Sequence, residues 1–166
     1  MQEVKVIDKF LTEEELSIIS SYTDRMAWTM QVSRPEDMDG SGIDFLYSDV
    51  NRVEYFNSYL FQRVKDYLET DVELDRVYFN GQWNGREGEM HIDACDITVL
   101  IYTSKYQPKW GGFTQIFLDD DKEVVVSPQR GRMVIFPSNC FHKAYSFAYQ
   151  TCPMRISLTY KLLIKP

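Results

Sequence analysis

Apolar positions keep a helical period up to about residue 70 and a strand period beyond it. Residues Glu3 to Ile7 read as a short strand. The run Leu11-Thr12-Glu13-Glu14-Glu15 has the form of a capping box, with Thr12 as N-cap and Glu15 three positions on. Behind it Leu16, Ile19, Tyr22 and Met26 are spaced to share one helical face, which predicts a helix to about Trp28. The polar stretch Ser33 to Gly42, with Pro35, Gly40 and Gly42, reads as a loop and a candidate lid. A second stripe, Val53, Phe56, Leu60, Val64 and Tyr67, predicts a second helix.

After Asp71 short runs rich in Val, Ile, Tyr, Phe and Thr alternate with polar positions. Strands are expected near Arg76–Trp83, Glu89–Ala94, Ile97–Ser104, Phe113–Leu118, Glu123–Ser127, Arg132–Pro137, His142–Phe147 and Arg155–Leu163, divided by glycines and prolines. The acidic run Asp119-Asp120-Asp121 reads as a solvated hairpin turn. This order predicts a mostly β (α+β) fold: a double-stranded β-helix, or jelly roll, with two N-terminal helices on one outer face of the sheet. Residues 1–166 are expected to form one domain, 1–70 giving the N-terminal strand and helices and 71–166 the jelly-roll core.

Composition narrows the function classes. The chain is 44% hydrophobic and 26% charged, which fits a globular protein and excludes disorder or a collagen repeat. A net charge of −7 repels phosphate backbones and argues against nonspecific nucleic-acid binding. The N-terminus lacks the basic and apolar regions of a signal peptide, and no apolar run is long enough to span a membrane. A cytoplasmic protein is expected, with Cys95, Cys140 and Cys152 as free thiols.

The chemistry lies in a few residues. The chain has two histidines, His91 and His142. In a strand, His91 and Asp93 point to the same side and can reach one ion together. His142 opens another expected strand and can face them across a closed sheet. Two imidazoles and one carboxylate form the facial triad of non-haem Fe(II) oxygenases. Each histidine also has a plainer reading as a satisfied polar residue. On the last strand Arg155, Ser157 and Thr159 alternate with Ile156, Leu158 and Tyr160, so one face is polar and the other apolar. An Arg turned into the barrel needs an anion opposite it, either an internal carboxylate or a bound one.

Several of these signals occur in one order. Gly85 and Gly88 precede His91-x-Asp93; Thr98-Val99-Leu100-Ile101-Tyr102, Trp110-Gly111-Gly112-Phe113-Thr114 and Pro128-x-x-Gly131-Arg132 follow. Then come Phe136, His142 and, thirteen residues later, Arg155. From Tyr78 to Lys161 this resembles the Fe(II)- and 2-oxoglutarate-dependent dioxygenases, most closely their prolyl 4-hydroxylase-like branch. The opening Asp8-Lys9-Phe10-Leu11-Thr12-Glu13-Glu14-Glu15 is similar to the usual start of such domains.

The resemblance implies that His91, Asp93 and His142 bind Fe(II). It implies that Arg155 and Tyr102 hold the distal carboxylate of 2-oxoglutarate, with Thr114, Ser157 and Thr159 beside it. It further implies use of O2, ascorbate as reductant, release of succinate and hydroxylation of a C–H bond. The target would be a peptidyl proline, or alternatively a free amino acid or other small metabolite, with Gln82 and Trp83 as substrate-binding candidates. Two positions depart from the collagen-type pattern, which has Lys where this chain has Arg155 and often Tyr at the position of Gly88. A reading from another class also stands: Cys95 and Cys140 flank the triad and would suit zinc in a non-catalytic, cupin-like metal-binding module.

Overall fold

The computed structural model describes residues 3–33, 43–118 and 122–165. Among these residues ten strands form two antiparallel sheets. They are β1 (Lys5–Ile7), β2 (Thr29–Ser33), β3 (Ile43–Asp49), β4 (Val72–Gln82) and β5 (Ile97–Tyr102). After these come β6 (Thr114–Phe117), β7 (Glu123–Val126), β8 (Met133–Pro137), β9 (His142–Ala144) and β10 (Arg155–Ile164). The larger sheet has the order β1-β8-β5-β10-β4-β3-β2, and the smaller β7-β6-β9. The two sheets face each other as the expected double-stranded β-helix. The candidate lid from residue 34 onward and the acidic run at 119–121 lie outside the described residues.

Alternation on β10 and its neighbours builds both layers of the core. Val77, Phe79, Val99, Ile101, Leu158, Tyr160 and Leu162 turn to one face of the larger sheet and pack under the helices with Leu16, Ile19, Phe56, Leu60 and Val64. Leu100, Tyr102, Val134 and Phe136 turn to the other face and meet Ile116 and Val126 of the smaller sheet. The helices therefore cover one outer face of the larger sheet, as its pattern predicts.

The first helix, α1 (Glu13–Thr23), starts with the anticipated capping box. Glu15 N–H donates to Thr12 Oγ1 at 3.2 Å, and Thr12 N–H to Glu15 Oε2 at 2.8 Å. It ends before the expected Trp28, because Thr23 Oγ1 turns back to Ser20 O at 3.1 Å and the following residues join β2. The second helix opens as a π-helical segment, Tyr55–Leu60, and continues as α2 (Phe61–Lys65). Its buried residues Phe56, Leu60 and Val64 lie four apart, a spacing that wider winding keeps on one face.

Two sequence-based assignments need correction. The β2–β3 hairpin was not anticipated. The expected strand Glu89–Ala94 is instead an extended segment tied to β9 by one antiparallel bridge, His91 with His142. Glycine and charged residues just upstream (Arg86-Glu87-Gly88-Glu89) disfavour a continuous ladder there.

Candidate active site

A cavity of about 280 Å³ opens between the two sheets, and the polar face of β10 forms its floor. Arg155, Ser157, Thr159 and Lys161 all line it, as do His91, Asp93, Thr114 and His142.

At one end the expected triad converges. One ligand atom from each of His91, Asp93 and His142 lies within 4.8 Å of the others. The bridge between His91 and His142 (N–H to O distances 3.1 and 2.9 Å) sets the two rings side by side, with centroids 4.3 Å apart. Asp93 N–H donates to Ser138 O at 2.9 Å, which keeps the segment extended and turns the carboxylate to the same side as His91.

Both imidazoles use Nδ1 against backbone carbonyls: His91 with Glu89 O at 2.8 Å, His142 with Cys140 O at 3.0 Å. A carbonyl only accepts, so Nδ1 carries the proton and Nε2 points its lone pair into the cavity. The Nε2 atoms then stand 3.6 and 3.3 Å from the Asp93 carboxylate oxygens. Three electron-rich atoms meeting this way need a cation among them. Two nitrogens and one carboxylate oxygen suit Fe(II) with open coordination positions.

Electrostatics keep this donor set ready. Burial and the neighbouring His142 lower the His91 pKa, which favours the neutral, ligating form. Burial alone would raise the Asp93 pKa, but His142 and Lys161 outweigh it and hold the carboxyl far below the usual carboxylate range.

Lys161 went unnoticed in the sequence. It is 3% exposed, its ammonium pairs with Asp93 Oδ2, and Thr98 Oγ1 donates to that oxygen at 2.6 Å. Thr98 in turn meets Ser138 Oγ at 2.9 Å. Asp93 Oδ2 is thus occupied by protein donors. The signal was legible, since Lys161 continues the polar alternation Arg155, Ser157, Thr159.

Neither cysteine joins the metal-capable group found among the described residues. The Cys95 thiol lies 2.8 Å from Ser138 Oγ, and Cys140 packs against the inter-sheet core.

At the other end lies Arg155, 1% exposed. Its Nε donates to Gly112 O at 2.8 Å, Nη1 to Gln82 Oε1 at 2.8 Å and Nη2 to Thr114 Oγ1 at 2.9 Å. Tyr102 donates its phenol to the same Thr114 oxygen at 2.8 Å, and its ring centroid lies 5.3 Å from the guanidinium carbon. Every one of these partners is neutral. Burial pushes the Arg155 pKa down and the Tyr102 pKa up, so the guanidinium lies in a dry site without a counter-charge.

The cavity is lined by all the expected site residues except Tyr102 and Trp83; Tyr102 is fully buried behind the lining and reaches it through its bond to Thr114. Trp83 is 48% exposed and does not line it; beyond the end of β4 it faces solvent. Gln82 lines the cavity but serves the Arg155 end. Ser157 and Thr159 are buried in the floor, and among the described residues Thr159 Oγ1 has no hydrogen-bond partner. The β2–β3 hairpin adds Gln31, Phe45 and Tyr47, and β4 adds Arg76, Tyr78 and Asn80. Sequence reasoning missed all six: the hairpin was not read as strands, and which face of β4 lines the cavity depends on its pairing with β3 and β10.

A family model described as the 2OG-Fe(II) oxygenase superfamily matches residues 76–160. The chain belongs to that superfamily, whose members are oxidoreductases that use Fe(II) and 2-oxoglutarate. No curated protein matches the chain significantly in sequence. Among solved structures, an oxidoreductase of the 2OG-Fe(II) oxygenase family from Burkholderia pseudomallei superimposes with a TM-score of 0.77 at 14% identity, covering 96% of this chain and 84% of that one. A Pseudomonas putida prolyl-4-hydroxylase gives 0.72 at 17% identity, covering 100% and 95%. A Trichoplax adhaerens prolyl hydroxylase, in complex with a hypoxia inducible factor peptide fragment, gives 0.71 at 15% identity, covering 99% and 84%. These likenesses establish the shared fold. Among the described residues no helix is long and apolar enough to cross a membrane.

Proposed function

We propose that residues 1–166 act as one oxygenase domain, a 2-oxoglutarate-dependent hydroxylase in which His91, Asp93 and His142 hold Fe(II). Arg155, assisted by Tyr102 and Thr114, receives the distal carboxylate of 2-oxoglutarate, with Ser157 and Thr159 lining the floor between. The overall change balances as substrate C–H, O2 and 2-oxoglutarate giving substrate C–OH, succinate and CO2. When bound, the iron and its cosubstrate supply the oxidising chemistry; ascorbate would serve as a reductant that keeps the metal ferrous.

The protein's own part is placement. Nδ1 hydrogen bonds fix the two imidazoles, and Lys161 with Thr98 fixes the carboxylate. The buried wall of Leu100, Tyr102 and Phe136 keeps water from the chamber floor.

The observation that carries this reading is the buried Arg155, satisfied by neutral partners only, in the same cavity as the triad. A structural metal has no use for such an anion receptor. The test is the visible spectrum of anaerobic protein with Fe(II) and 2-oxoglutarate. A weak charge-transfer band that requires both additions is expected. A folded, fully metal-loaded protein without that band overturns the proposal.

A further inference from the structure

The cavity's charges do not balance once the proposed ligands are counted. Among the described residues Arg76, Arg155 and Lys161 line it, against one carboxylate, that of Asp93, in a chain whose net charge is −7. Lys161 is paired with Asp93. On the reading above a dianionic cosubstrate offsets a divalent metal, so Arg155 and Arg76 remain as two positive charges. Arg155 faces the distal carboxylate of the cosubstrate, whereas Arg76 faces no proposed ligand.

Its position makes that surplus informative. In the β4–β10 register Arg76 stands directly opposite Lys161, so two cations face the same chamber side by side. Like charges directly opposite each other across strands are destabilising. Among the described residues Arg76 has one ion partner, Asp75, bonded through Nε at 3.1 Å and partly exposed. Among the described residues Nη1 and Nη2 have no hydrogen-bond partner, and 49% of the Arg76 side-chain surface is open. Arg76 lines the chamber opposite Lys161, whose ammonium pairs with Asp93, so it stands at the metal end. Tyr47 and Tyr78, with centroids 5.0 Å apart, wall this part of the cavity.

An open guanidinium fork at the mouth of a water-poor pocket matches a carboxylate in shape and charge. The chamber is small, about 280 Å³ including the room for 2-oxoglutarate, and falls just below the usual range of small-molecule sites. We infer that the primary substrate is a small carboxylic acid whose carboxylate pairs with Arg76 while its reacting carbon lies over the triad. This rests on the oxygenase reading and adds the substrate class to it.

The test uses the Fe(II)- and 2-oxoglutarate-loaded protein with free amino acids and C4 to C6 carboxylic acids, each beside its primary amide. Short peptides containing Asp, Glu or Pro form a separate arm. Succinate formation and perturbation of the anaerobic charge-transfer band are both read. One or more free acids should stimulate turnover and shift the band, with the matching amide weaker by roughly 10- to 100-fold in KM. Arg76→Gln should erase the difference between acid and amide, and Arg76→Lys should restore part of it. Equal response to acid and amide, stimulation by neutral compounds or peptides only, or silence of every acid overturns the inference. In each of those cases a band that still requires Fe(II) and 2-oxoglutarate leaves the oxygenase reading standing. Absence of the band overturns both.

Discussion

Lys161→Met removes one charge from the triad at little cost in volume. The Lys161 side chain is 4% exposed and the Asp93 side chain 10% exposed, so the pair lies largely out of water. Removing one partner of a buried pair costs about 3–5 kcal/mol, because the remaining charge is left uncompensated. Thr98 keeps its 2.6 Å bond to the same oxygen, which points to the lower figure, about 3 kcal/mol. In a domain of 166 residues this lowers the melting midpoint of metal-free protein by roughly 6–12 °C. A divalent ion at Asp93 restores positive charge beside it, so the variant should gain more from metal than the wild type does. If half the loss is recovered, metal binds about tenfold tighter to the variant, and the metal-induced rise in midpoint is larger by about 3–6 °C. Thermal melts of wild type, Lys161→Met and Lys161→Arg, with and without Mn(II) at one fixed concentration, read both quantities. Equal metal-induced shifts in wild type and Lys161→Met would refute the coupling. A midpoint for metal-free Lys161→Met within a degree of wild type would refute the buried pair itself.

Three further outcomes are expected. Arg155→Gln, by taking the charge from the neutral-lined receptor, should weaken 2-oxoglutarate binding by about 2 kcal/mol or more, at least roughly 30-fold, in titration of the charge-transfer band; unchanged affinity would place the distal carboxylate elsewhere. Gly112 sits at φ +75°, and an added Cβ would lie 2.5 Å from Phe147 Cδ1, so Gly112→Ala should cost about 2–4 kcal/mol by chemical denaturation, and a loss below 1 kcal/mol would count against this packing. His91 has a lowered folded pKa, so as pH falls below about 6.5 the unfolded chain takes up a proton that the folded one refuses, and metal-free stability falls. Denaturation series between pH 7.5 and 5.5 should show that slope in wild type and a shallower one in His91→Gln; identical slopes contradict it.

What the sequence disclosed follows from which interactions are local. The β10 alternation was readable because a strand's period is set by its own backbone, and it separated Leu158 and Tyr160 from Ser157 and Thr159 correctly. The capping box at Thr12 is likewise local. The β2–β3 hairpin was missed because Trp28 and Thr29 follow a helical stripe without a strong breaker, and pairing of β2 with β3, itself held by β4, decides its state. His91 and Asp93 were placed on one side for a reason that survives the loss of the expected strand: the backbone is extended whether or not a ladder forms. The role of Gln82 was not legible, since its bond to Arg155 depends on two strands meeting in register.

The two buried cations of β10 show how one strand face can carry two different duties. Arg155 and Lys161 stand six residues apart, about 20 Å of extended chain, on the same polar face. The opposite face is fixed to the helices by Leu158, Leu162 and Tyr160, whose phenol donates to Phe56 O at 2.9 Å. The strand therefore cannot slide or roll to relieve either charge. Lys161 has its counter-charge within the protein, and its effect is to hold Asp93 in place. Arg155 has none, so folding leaves an electrostatic cost that an incoming carboxylate removes. A residue satisfied by the chain supports the site, while one satisfied only by neutral groups is the receptor. Arg76 stands between the two cases: Asp75 pairs with its Nε, while among the described residues Nη1 and Nη2 have no partner and stay open to a ligand.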